Sequence, residues 1–177
     1  NSENFEIFIE MDGDLSHRPE ELIQGINMLT CTDADVVIAS KYLPDSNVTG
    51  RSMVRNAISD VCNFHVRAVY TRNITDFSNG FRFYNRSAGK ILLLSNIKYT
   101  SPIYLTEVAA IWLSNEFVIR EIPSHYVGRE EGVSKLKPID LIKAVFGILE
   151  TLFRFKAGSL KVDGISKSFD GVESTND

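Results

Sequence analysis

Apolar residues recur along this chain at two different periods. Short runs at Phe5 to Met11, Val36 to Ala39, Gly80 to Tyr84 and Phe117 to Ile122 predict strands. Helical spacing lies between and after them, at Pro19 to Thr30, Met53 to Tyr70, Ser87 to Leu94 and Leu105 to Leu113. The order is alternating and without internal repeats, which predicts an α/β fold. A last helix is predicted from Pro138 to Lys156, where Leu141, Ile142, Val145, Phe146, Ile148, Leu149, Leu152 and Phe153 form a broad apolar face. That face suits either core or subunit packing, or a membrane surface with Lys143, Arg154 and Lys156 near the headgroups. After Gly158 the pattern turns polar, and a disordered end is expected beyond Ser166.

The first apolar run ends in two acids one residue apart, Asp12 and Asp14. A strand sends alternate side chains to one side, so the two carboxylates are expected to converge where the strand runs out, as hard oxygen ligands for Mg²⁺ or Mn²⁺. Phosphate oxygens would complete the shell. Ser16 is placed to cap, and Pro19 to open, a helix whose first turn carries Glu20 and Glu21. The acids then lie on a strand-to-helix loop, the edge where open α/β sheets bind ligands. Taken alone, such a pair is more often a solvated turn, by roughly three to one. Positive charges recur in loops or at helix starts further on: Lys41 after the second strand, Arg51 and Arg55 at the next helix, and Arg129 and Lys135 around Gly132. Guanidinium grips phosphate bidentately and ammonium acts as a mobile point charge, so together they suit a phosphorylated substrate.

Composition narrows this picture. The chain has 177 residues, 44% hydrophobic and 24% charged, the make-up of a soluble globular domain. A net charge of -4 carries no nucleic-acid signature. Cys31 and Cys62 are too few for a disulfide framework and are expected as reduced, partly buried thiols. No uninterrupted apolar run reaches the roughly 18 residues of a spanning helix, and no signal peptide is expected. The glycosylation patterns at Asn47, Asn73 and Asn85 are taken as chance matches. His17, His65 and His125 lack zinc-site spacing and are expected to be structural or supporting. A Ser-His-Asp hydrolase built from Ser16, His17 and Asp14 is disfavoured, because neighbours on one turn cannot easily adopt triad geometry.

Six strings in order carry a family resemblance: Asp12-Gly13-Asp14-Leu15-Ser16-His17-Arg18-Pro19-Glu20, Ala39-Ser40-Lys41-Tyr42, Arg55-Asn56-Ala57-Ile58-Ser59, Asp76-Phe77-Ser78-Asn79-Gly80-Phe81-Arg82, Glu121-Ile122-Pro123, and Arg129-x-x-Gly132-x-Ser134-Lys135-Leu136. From Phe5 to Phe155 the chain resembles dolichyl-phosphate mannose synthases and related polyprenyl-phosphate glycosyltransferases of glycosyltransferase family 2. The resemblance implies a GT-A type (Rossmann-like) domain and an inverting transfer of mannose from GDP-mannose to dolichyl or polyprenyl phosphate. On that reading Asp12, Asp14 and Ser16 hold the metal, and Asp14, Arg129 and Lys135 are catalytic. Lys41, Arg55, Arg129 and Lys135 receive phosphates, while Asp76 and Glu107 sit in the site as polar or sugar-contacting groups. It further implies peripheral contact with the cytoplasmic face of a membrane, directly or through an anchoring subunit, and no nucleic-acid partner.

The chain departs from the family pattern in three respects. Lys41 stands where Arg is common, which keeps the charge and loses the fork. Ser78-Asn79 replaces a Thr-Ser pair before Gly80, leaving glucose or N-acetylglucosamine as alternative sugars. Family members begin with a further nucleotide-binding segment, so a catalytic domain over 1–157 lacking that segment is expected, with a polar tail over 158–177. An exposed sheet edge follows from that, and the alternative class is an inactive fragment or binding module.

Overall fold

The computed structural model describes residues 6–14, 16–50, 60, 63–64, 66–71, 73–100, 102–127 and 138–162. In chain order the elements are β1 (Ile7–Glu10), α1 (Glu21–Cys31), β2 (Val36–Ser40), β3 (Asn47–Thr49), β4 (Arg82–Asn85), α2 (Arg86–Leu94), α3 (Pro102–Ser114), β5 (Ile119–Pro123), β6 (His125–Val127) and α4 (Pro138–Lys156). The main sheet has the order β1-β4-β2-β5. β4 runs antiparallel to both β1 and β2, and β5 runs parallel to β2. Consequently β1, β2 and β5 all point the same way, and their carboxyl ends share one edge with the start of β4.

All five residues of β2 are buried. Alternation divides them between two cores: Val36 and Ile38 join Phe77, Ile91, Val108 and Trp112, whereas Val37 and Ala39 join Leu29, Phe81, Phe83 and Ile122. Helix α1 covers the second core, α2 and α3 cover the first, and α4 packs on α3. Asn85 caps α2 by accepting the Ala88 N–H at 2.8 Å, and the Trp112 indole donates to the Ala88 carbonyl at 2.9 Å. Leu160 is buried in the first core and Val162 packs against it, so tertiary contacts continue past the end of α4.

The sequence-predicted strands and helices are present, with shifted ends. α1 starts at Glu21, two residues after Pro19, with no side-chain cap at Glu20. α3 begins at Pro102, earlier than the apolar spacing indicates. Helix occupies residues 60, 63–64 and 66–69 of the predicted Met53 to Tyr70 span, the rest of which, Tyr70 apart, lies outside the described residues. β3 and β6 were not anticipated. They pair in parallel as a separate two-stranded sheet, and three residues each are too few to show a period. Cys31 is a free and exposed thiol rather than a partly buried one, because it closes α1 on its outer side; Cys62 is outside the described residues.

Gly25 sets how closely α1 lies on the sheet. A Cβ there would meet the Phe83 ring at 2.3 Å, and Phe83 is fully buried. Replacing Gly by Ala within a helix favours folding by about 1 kcal/mol, whereas forcing atoms into a packed core costs about 1–3 kcal/mol. Gly25→Ala is therefore expected to destabilise the fold on balance, read as a lower denaturant midpoint at unchanged slope. A midpoint equal to or above wild type would show that the ring edge yields.

Candidate active site

The strand supporting the two acids stops at Glu10, and a turn at Gly13 and Asp14 follows. Strand alternation is therefore not what places Asp12 and Asp14. Instead Asp14 Oδ1 accepts both the Ser16 N–H at 3.1 Å and the Ser16 hydroxyl. Ser16 is buried and orients Asp14 rather than capping α1, correcting the expected cap. Asp12 stands more open, its side chain 54% exposed, with Oδ2 3.4 Å from Nε2 of the buried His17. The His17 ring packs against Phe81 and Tyr126, at 5.0 and 5.8 Å between centroids, so this histidine belongs to an apolar wall beside Asp12. Opposite, a Cβ at Gly80 would come within 3.3 Å of Asp12 Oδ1, so the missing side chain leaves the carboxylate its space.

Among the described residues, no group of three or more His, Cys, Asp or Glu side chains is arranged to hold a metal. Two protein carboxylates at an open turn nonetheless match the way Mg²⁺ is bound beside substrate phosphates, by one or two carboxylates and non-protein oxygens. Behind the turn, Glu10 is paired across the sheet with Arg82. Burial raises the Glu10 carboxyl above its usual range, opposed by Arg82 and by a hydrogen bond with Tyr104. The Arg82 guanidinium is fully buried, over the Trp112 ring at 5.8 Å, and burial lowers its proton affinity.

Lys41 and Asp76 form the second half of the edge. Lys41 Nζ is 3.0 Å from Asp76 Oδ2, with the lysine side chain 6% exposed and the aspartate fully buried. Asp76 also accepts the Lys41 N–H at 3.1 Å, the Ser78 N–H at 2.9 Å and the Ser78 hydroxyl at 2.8 Å. Asn79, the other residue of the departing pair, donates to the Ala39 carbonyl and accepts the Phe81 N–H, so it serves the backbone. Glu107 sits in a different hydrogen-bonded group. It is buried where α3 meets α4, accepts the N–H groups of Lys98 and Tyr99, and pairs with Arg154. Arg51, Arg55, Arg129 and Lys135 are outside the described residues.

Sequence reasoning gave no role to Glu121, Asn63 or Tyr126. Glu121 accepts the Thr75 and Asp76 N–H groups at 2.9 Å each, and Asn63 accepts that of Phe77 at 3.0 Å. The available signal was a carboxylate within the predicted strand Phe117 to Ile122, where a buried charge demands partners. Nothing in the sequence pairs Asn63 or Tyr126 with this loop.

No protein-family model matches the chain. It is 30% identical over 148 residues to a polyprenol monophosphomannose synthase of Mycolicibacterium smegmatis, across 82% of this chain and 55% of that protein. It is also 27% identical over 132 residues to an undecaprenyl-phosphate mannosyltransferase of Micrococcus luteus, across 75% of this chain and 54% of that protein. The chain is a relative of the polyprenyl-phosphate mannosyltransferases. It spans about half the length of the curated relatives it matches. The resemblance drawn from the six strings is thus borne out, and the mixed sheet between helices is the GT-A type architecture it implies.

In this mannosyltransferase relative, burial would raise the Asp76 carboxyl, but the Lys41 ammonium and the Lys41 and Ser78 hydrogen bonds outweigh it and hold the group low. A carboxylate whose folded value lies below its unfolded value, 3.8, contributes stability that is present above that value and lost as pH falls through the folded one. Glu10 and Glu121, raised chiefly by burial, act with the opposite sign. The melting-temperature gap between wild type and Asp76→Asn isolates Asp76. It is expected to be widest above about pH 5 and to shrink below about pH 4. A gap independent of pH would mean that Asp76 is not ionised in the pair.

Proposed function

We propose that the protein carrying this chain transfers mannose from GDP-mannose to a dolichyl or polyprenyl phosphate, with inversion and with Mg²⁺ or Mn²⁺ bound by Asp12 and Asp14. The observation that carries this reading is an open carboxylate turn and a buried lysine on the same edge of the sheet, after β1 and β2, in a relative of polyprenyl-phosphate mannosyltransferases. The metal, when bound, neutralises the charge that develops on the departing diphosphate. Ser16 holds Asp14 in orientation, and the His17 ring lies beside Asp12.

The cations then serve the phosphates. β3 and β6 run parallel, Thr49 beside Val127, and lead directly into the segments that carry Arg51, Arg55, Arg129 and Lys135. The Val127 N–H donates to the Ser16 carbonyl at 3.0 Å, which ties the end of β6 to the carboxylate turn. Lys41, Arg55, Arg129 and Lys135 are assigned to donor and acceptor phosphates, with Asp14, Arg129 and Lys135 as the catalytic residues. The acceptor phosphate is already an anion at neutral pH, so alignment and charge neutralisation replace a strong general base. A second reading, transfer of glucose or N-acetylglucosamine, draws on Ser78-Asn79 in place of the family's usual pair.

Peripheral contact with the cytoplasmic face of a membrane, alone or through an anchoring subunit, completes the proposal. Among the described residues no helix is long and apolar enough to cross a membrane. α4 instead turns Phe146, Leu149 and Phe153 outward, 68%, 55% and 73% exposed, with Lys143 and Lys156 also exposed. Such a stripe of large apolar side chains with flanking lysines suits a lipid interface.

With the full-length protein, GDP-mannose, a short polyprenyl phosphate and Mn²⁺, Asp14→Ala is expected to lower transfer at least 100-fold. Equal activity in Asp14→Ala, or no transfer from GDP-mannose, UDP-glucose or UDP-N-acetylglucosamine, would overturn the enzyme reading. A preference for either UDP-sugar would select the second reading. Separately, Phe146→Ser/Phe153→Ser is expected to weaken sedimentation with anionic lipid vesicles about tenfold while leaving the melting temperature in place, since both side chains are exposed. Unchanged sedimentation would remove α4 from the membrane contact.

A further inference from the structure

We infer that Asp76 is a positioning residue that acts through Lys41, fixing the direction of its ammonium at the ligand edge rather than touching the sugar. This rests on the reading of Lys41 as a phosphate-binding cation. Asp76 is fully buried, so it presents no surface to a substrate. Both its oxygens are occupied: Oδ1 by the Ser78 N–H and hydroxyl, Oδ2 by the Lys41 N–H and Nζ. The loop around it is held from three directions. Glu121 on β5 takes the Thr75 and Asp76 N–H groups, Asn63 takes that of Phe77, and Arg82 on β4 donates to the Phe77 and Asn79 carbonyls at 3.0 and 2.9 Å. A carboxylate fixed this firmly is a fixed reference point for the charge it holds.

Lysine needs such a point more than arginine does. Its ammonium ends a flexible stem, whereas the guanidinium fork is planar and pre-organised. Here Lys41 Nζ lies between Asp76 Oδ2 at 3.0 Å and Ser78 Oγ at 3.5 Å, and 6.0 Å from the centre of the Tyr126 ring. Tyr126 in turn packs against His17, the neighbour of Asp12, so the ammonium is referenced to the carboxylate turn as well. A buried ion pair is a weak stabiliser compared with apolar packing, so stability alone is a poor reason for one at this edge. The arrangement restores by packing the directionality that Lys41 lacks where relatives commonly carry Arg.

Two measurements on the full-length protein test this. Acylation of lysines, followed residue by residue by mass spectrometry, is expected to find Lys41 protected beside exposed Lys143 and Lys156. Asp76→Asn should raise the Lys41 rate at least tenfold without altering theirs. Ser78→Ala, which keeps the charge, should raise it about threefold, and it serves if Asp76→Asn does not fold. Unchanged labelling of Lys41 in the folded variant overturns the inference whether or not the protein transfers sugar. In the transfer assay, Asp76→Asn should lower kcat/KM for the lipid phosphate about tenfold in wild type and less than twofold in a Lys41→Met background. An equal loss in both backgrounds would show that Asp76 acts independently of Lys41. Absence of transfer in wild type refutes the proposed reaction, while the labelling result still decides the pair.

Discussion

The structure is organised by the complete burial of β2. A strand with no exposed residue must be covered on both faces and paired on both edges, and here those four demands recruit nearly every other element. Val36 and Ile38 require α3 beneath them, and Val37 and Ala39 require α1 above. β4 and β5 satisfy its hydrogen bonds. Where β2 ends, Ser40 and Lys41 are delivered to the ligand edge with little freedom. Ser40 continues the bracing, its hydroxyl 2.6 Å from that of Thr75 and its carbonyl accepting from Ser46 and Ser124.

The fold was legible because its main elements are long or strongly apolar. β2 reads as an uninterrupted Val-Val-Ile-Ala run, and α4 as nineteen residues of helical spacing whose two faces the structure separates. Element ends were less so. α1 starts late because Arg18 and Pro19 form a turn, their carbonyls accepting the Glu21 and Leu22 N–H groups at 3.1 and 3.0 Å. Glu21 is itself diverted into the interior, where it accepts the His125 N–H at 2.6 Å. No propensity rule signals that a first-turn glutamate will bind a strand more than a hundred residues away.

The candidate site was legible as a set of residue types and only partly as an arrangement. Asp12, Asp14 and Ser16 do share one turn, and Lys41 and Asp76 do meet. Their division of labour could not be read from spacing, because it depends on burial. Asp76 and Glu107 read in sequence as polar or sugar-contacting groups of one site, yet Asp76 is buried against Lys41 and Glu107 joins Lys98, Tyr99 and Arg154. Ser78 and Asn79 illustrate the same limit. As a departure they bear on sugar choice, but their side chains bond the Asp76 carboxylate and the backbone of Ala39 in β2 and of Phe81.

The parallel pairing of β3 with β6 carries a consequence for the order in which the molecule assembles. It joins stretches far apart in the chain: Ser46 and Ser124, which hydrogen bond at the entry to this pair, are 78 residues apart. Contacts of such separation form late, since the entropy of closing a long loop precedes any gain from the contact. The helices and the β2-β4 pair, whose partners lie 44 to 48 residues apart, can consolidate earlier, whereas the β1-β4 pair, whose β1 leads into the acids, spans 72 to 78 residues and is as long-range as β3 with β6. The ligand edge is then the last region to take shape, and a nascent or partly folded chain carries its acids and its cations without yet having a place where they meet.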